Sequence, residues 1–94
     1  MTPPGNVRLV QVTRMLGLEP PAATEAEARS AIAARPAEFA GALFLEAADS
    51  DDVTSVESAL EYLEARLAFF GAMLTSETAD ALRAAFRERL KAWS

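Results

Sequence analysis

The chain contains no cysteine and no histidine. The first absence excludes disulfides, thiolate metal sites and cysteine nucleophiles. The second removes the usual general base at neutral pH, the commonest transition-metal ligand and the middle member of a serine triad. Four isolated glycines, Gly5, Gly17, Gly41 and Gly71, offer no phosphate-cradling loop. Long apolar runs are missing too. The longest strongly apolar stretch, Phe39 to Leu45, falls far short of the roughly 20 residues needed to cross a bilayer. Met1 to Asn6 has neither a basic cluster nor an apolar run, so no signal peptide is expected and the cytoplasm is the expected location.

What is present is helical. An apolar fraction of 51% over 94 residues supports one packed domain, although much of it is alanine, which favours helix and contributes little burial. A domain this small buries a modest fraction of its surface, so a partner subunit is expected from the start. Net charge is −5 and unevenly spread. Residues 19 to 64 hold eleven acids against Arg29 and Arg35, while residues 65 to 94 hold five bases against three acids. An acidic chain disfavours nonspecific binding to nucleic acid or anionic membrane, and neither is expected as a partner.

Residues 1–6 read as a flexible lead-in. Val7 to Leu16 is compatible with a β-branched strand. Yet Arg8, Gln11 and Arg14 recur every three residues opposite Leu9, Val12 and Leu16, and Gly17 follows as a stop, so helix is the better reading. The Pro20–Pro21 pair makes Leu18 to Ala23 a linker. Thr24 and Glu27 match a capping box for a second helix, which Pro36 ends near Arg35. Pro36 then suits the first position of a third helix over Ala37 to Ala48. Phe39, Leu43, Phe44 and Leu45 point nearly all round it, as in the buried centre of a domain.

Residues 53–93 carry the clearest pattern. Val53, Val56, Leu60, Leu63, Leu67, Phe70 and Leu74 alternate at three and four residues, and Ala79, Leu82, Phe86, Leu90 and Trp93 continue the pattern after Thr75 and Ser76. Thr54 and Glu57 give a second capping-box match. A short connection predicts an antiparallel hairpin, with Glu57, Glu61 and Glu64 facing Arg83, Arg87, Arg89 and Lys91 along its seam. The expected fold is therefore all-α: a single domain over 1–94, a compact bundle of about five helices ending in a long antiparallel helical hairpin.

No segment supports a catalytic residue, a cofactor site or a metal site, and the chain is not expected to be an enzyme. Asp49-Ser50-Asp51-Asp52 fails as a calcium loop, because Thr54 stands at its glycine position and Leu60 at its bidentate glutamate position. It reads as a solvated loop favouring the following helix N-terminus. Glu57, Glu61 and Glu64 lack apolar surroundings in sequence that would split their pKa values into an acid and a base. The first two helices fail as a helix-turn-helix, since their connector is long, carries two prolines and leads into a helix without net charge.

A second apolar stripe on the fourth helix, Tyr62, Phe69 and Met73, packs either on the third helix or on another protein chain. With Trp93 these are the candidate partner-binding residues. The expected function is a protein–protein interaction module, a small adaptor, regulator or assembly factor acting as a homodimer or a subunit of a complex. The alternative is a helical pocket for an apolar small ligand, lined by Phe39, Phe44, Phe69 and Phe70. Gly41 and Gly71, both inside expected helices, mark candidate close helix–helix contacts.

Overall fold

A computed structural model describes residues 7–93, except for the side chain of Trp93. The lead-in expected over residues 1–6 and the partner-binding role expected of the Trp93 side chain lie outside the described residues. Five α-helices follow in order: α1 Val7–Leu16, α2 Glu25–Ala34, α3 Pro36–Asp49, α4 Val56–Phe70 and α5 Ser76–Trp93. A 3-10 turn over Gly71–Met73 joins the last two, and the described residues contain no strand. The fold is all-α.

Local chemistry accounts for most of the boundaries. At the end of α1, Gly17 takes φ 61. The Leu18 N–H donates to Thr13 O at 2.9 Å and the Gly17 N–H to Arg14 O at 3.3 Å. This pair of hydrogen bonds is the Schellman closure that glycine permits at little steric cost. Helix is thus the outcome for the segment that also read as a strand. Thr24 caps α2, its hydroxyl accepting from the Glu27 N–H at 3.1 Å, and Pro36 opens α3 where its missing N–H costs nothing. Thr75 caps α5 by accepting from the Thr78 N–H at 3.1 Å.

Two expected boundaries of α4 move. The cap is Ser55, not Thr54: Ser55 Oγ accepts from the Ser58 N–H at 3.1 Å while Ser58 Oγ accepts from the Ser55 N–H at 3.0 Å. A serine pair closes this box with shorter arms than Glu57 would need, and Val53 becomes a buried residue ahead of the helix. The helix then stops at Phe70 rather than running through Leu74. Gly71 adopts φ 46 and ψ −108, a conformation that side-chain-bearing residues rarely take, and Leu74 follows in extended backbone.

Every helix contributes to one core. Val12, Ile32, Phe39, Leu43, Leu63, Phe70, Met73, Leu82 and Phe86 are its largest fully buried side chains. α3 lies at the centre and touches each of the other four helices. Phe39 meets Phe70 edge to face at 5.2 Å, and Phe44 meets Phe86 at 5.6 Å. Leu45 departs from the expectation of a helix buried all round: it is 65% exposed, because the four neighbours leave one strip of α3 uncovered. The Arg29 guanidinium adds a long-range tie, with Nε and Nη2 donating to the Ala72 carbonyl at 3.2 and 3.1 Å. It pins α2 to the turn between α4 and α5.

Candidate functional site

The sites that sequence suggested fall into three places. The first is the flank of α4 that faces α1 and α3. Tyr62 is half-buried and its hydroxyl donates to Glu46 Oε1 at 3.0 Å. Burial, then the bond to Glu46 and that carboxylate's charge, raise the Tyr62 phenol above its ordinary pKa; the neighbouring Arg66 opposes them. Arg66 Nε lies 3.5 Å from Glu46 Oε1 without hydrogen-bond geometry, while Nη2 donates to Gln11 Oε1. The guanidinium also lies 4.8 Å from the ring centre of Phe69 and 5.1 Å from that of Phe70, and Arg8 approaches Phe69 at 5.4 Å. Such cation–π contacts need the ring face.

Tyr62 and Phe69 are therefore engaged with α1, α3 and the Arg66 cluster. Met73, the third member of this stripe, is 1% exposed and packs in the core. No partner can reach it in this fold: the Gly71 turn folds it inward, whereas the stripe assumed a helix continuing through it. The four phenylalanines considered as a ligand pocket also lie in or against the core. Phe39 and Phe70 are fully buried, Phe69 meets Phe70 at 5.1 Å, and Phe44 packs on Phe86. Three surface clefts contain no phenylalanine in their linings.

The second place is a cleft of about 480 Å³ between α1 and the proline linker, lined by Leu9, Val10, Thr13, Arg14, Pro21, Ala22 and Ala23. The Ala22 N–H donates to Thr13 Oγ1 at 3.0 Å and holds the linker beside the helix. Val7 and Val10 remain exposed on this side.

The third place is the groove between α4 and α5, which sequence reading did not anticipate. The two stripes were expected to pack on each other. Instead α5 packs most extensively on α3. Leu82 and Phe86 are fully buried, and the Arg89 guanidinium covers Gly41, where an added Cβ would stand 2.7 Å from Nη2. Gly41 thus marks a close α3–α5 approach, while Gly71 has nothing within 4 Å and serves the backbone conformation alone. Toward α4 the packing opens. One end of the groove is a cleft of about 350 Å³ lined by Val56, Leu60, Arg87, Leu90 and Lys91. The other end is lined by Glu64, Leu67, Ala68, Ala79, Arg83 and the connecting turn. Val56, expected to be part of a buried seam, is 44% exposed.

Charge crosses this groove at one rung. Arg83 Nε and Nη2 donate to Glu64 Oε2 and Oε1 at 2.8 and 3.0 Å. The bidentate bond from Arg83, then the Arg83 and Arg87 charges, hold the Glu64 carboxyl below its ordinary pKa against an opposing desolvation penalty. The other expected rungs are not made: among the described residues Glu57 and Glu61 form no ion pair, and Lys91 pairs with Glu88 on its own helix at 3.2 Å. No three of Asp, Glu, His or Cys among the described residues gather as metal ligands would. No described helix is long and apolar enough to cross a membrane.

Comparison with known proteins adds no constraint: no protein-family model, no curated protein and no solved structure matches the chain.

Proposed function

We propose that this chain is a protein–protein interaction module, a small non-enzymatic adaptor, regulator or assembly factor of the cytoplasm. The observation that carries the reading is the α4–α5 groove. Its floor is apolar, with Val56 44% exposed, and its two banks bear opposite charge, acids along α4 and bases along α5. Apolar floors flanked by segregated charge suit macromolecular partners, because the charges fix orientation while the floor supplies the burial. The Tyr62–Phe69 flank serves the fold in this reading, tied into the Arg66 cluster.

The test is a tagged pull-down from the native organism, run in parallel with a variant carrying Glu57→Lys and Glu61→Lys. The expected result is a stoichiometric partner, or a second copy of the chain, lost with the variant. Recovery of the native chain alone and monomeric would overturn the reading.

A further inference from the structure

We propose that the α4–α5 face binds a second copy of this chain, each α4 lying on the partner's α5. This rests on the interaction reading above and names its partner. Within one chain, Val56 and Leu60 share a cleft with Arg87, Leu90 and Lys91, and Glu64 pairs with Arg83. The two helices therefore run in opposite directions at a fixed register, with Glu57 and Glu61 at the heights of Lys91 and Arg87. Helical spacing puts Glu57, Glu61 and Glu64 on the exposed side of α4, clear of buried Ala59, Leu63, Leu67 and Phe70. It puts Arg83, Arg87 and Lys91 in one row on α5, clear of buried Leu82 and Phe86.

Two such faces can meet about a two-fold axis in two ways. An axis perpendicular to the helices, within the contact plane, stacks α4 on the partner's α4. That sets Glu57, Glu61 and Glu64 against their own copies and Arg83, Arg87 and Lys91 against theirs, which repels on both banks. An axis along the groove places α4 over the partner's α5 without changing the register. Glu57 then meets the partner's Lys91 and Glu61 the partner's Arg87. Each contact is made twice, as a two-fold interface requires. On α4, Glu64 is paired within the chain, whereas Glu57 and Glu61 form no ion pair among the described residues. The same arrangement closes the floor of Val56 and Leu60 against the partner's Val56 and Leu60.

Asp80 stands in the same row one turn before Arg83 and pairs with it at 3.0 Å, while Glu88 flanks the row and pairs with Lys91 at 3.2 Å. They temper the positive bank without cancelling it. Small residues, Ala65, Ala68 and Ala84, make up much of the remaining surface. The product is a four-helix contact of alternating charge, strengthened at low ionic strength.

The experiment uses the full chain and two double variants, Glu57→Lys with Glu61→Lys and Arg87→Glu with Lys91→Glu, in sedimentation equilibrium at low salt. The native chain is expected to dimerise. Each variant alone should weaken self-association by about tenfold or more, because like charges now face each other. The equimolar mixture of the two variants should restore the dimer, since every bank then meets its opposite. Far-ultraviolet circular dichroism checks that each variant is folded. Should one fail to fold, Glu61→Gln and Arg87→Gln apply the milder form of the test, each weakening the dimer. The proposal is overturned by a native chain that stays monomeric, by a dimer indifferent to these substitutions, or by folded variants whose mixture does not associate. A monomeric native chain that still captures a second protein through the groove would overturn the self-pairing alone. A monomer that captures nothing would overturn the interaction reading as well.

Discussion

α5 meets its two long neighbours in different ways. Against α3 it places fully buried Leu82 and Phe86, an edge-to-face ring contact and an arginine laid over a glycine. Against α4 it leaves a groove, bridged by the Glu64–Arg83 pair and open where Val56 and Leu60 face Arg87 and Lys91. Both neighbours carry apolar stripes of suitable spacing. α3, however, is apolar on most of its circumference and sits at the centre, so it competes for α5 more strongly than α4 does. Burial decides which helix α5 is anchored to, and charge decides how the less buried contact is oriented.

The largest test of this contrast compares the two sides of α5. Phe86→Ala removes a fully buried ring and should lower unfolding free energy by about 3–5 kcal/mol in a denaturant titration. Leu60→Ala, a half-buried groove residue, should cost about 1 kcal/mol. Equal costs would mean that α4 anchors α5 as firmly as α3 does. The two glycines sharpen the comparison next. Gly71→Ala forces a side chain into φ 46 and should cost about 1–3 kcal/mol. Gly41→Ala meets only the flexible end of Arg89, so its helix-propensity gain of up to about 1 kcal/mol should offset the adjustment and leave stability nearly unchanged.

Smaller effects mark where the groove begins and how its surroundings are charged. Ser55→Ala should destabilise by about 1 kcal/mol, whereas Thr54→Ala should do little, because Ser55 holds the cap of α4. Tyr62 is the sole tyrosine, so phenolate absorbance reports it alone. Its titration should be centred above 10, and Glu46→Gln should bring it down by removing a negative neighbour. A raised folded pKa means that this phenol's contribution to stability is complete below the unfolded value and lost as pH rises through the folded one. Glu64 has the opposite sign. Its depressed pKa contributes stability above the ordinary carboxylate value, lost as pH falls through the folded one, and Arg83→Gln should return its NMR titration to the ordinary range. This effect on stability is the smallest of the set, since the Glu64 side chain is 53% exposed.

Period and punctuation made the elements legible. Every helix was marked by spacing, by Thr24, Pro36 and Thr75 at its start, or by Gly17 at its end, and the stripe Leu63, Leu67, Phe70 is buried as the pattern requires. A stripe states which residues are buried without naming the surface that buries them. Spacing alone therefore matches α4 to α5, although α3 is the stronger partner. The same gap explains the site. Spacing leaves Tyr62 and Phe69 open between the third helix and another chain, because the residues that engage them from elsewhere, Glu46 and Arg8, come from two other helices. Met73 shares that ambiguity for as long as a helix is carried through Gly71, and the turn there places it in the core. The groove itself has no linear signature beyond the charge asymmetry between the two halves of the chain, a pattern that an internal seam would produce equally well.

The most direct measurement is an amide NMR spectrum of the native chain followed across a concentration series at low salt. The expected result is progressive shifts confined to α4 and α5, largest around Glu57, Glu61, Arg87 and Lys91, with α1, α2 and the buried side of α3 unmoved. Spectra that do not change with concentration, or shifts centred on Val7, Val10 and the proline linker, would contradict the assignment of the groove as the surface of self-recognition.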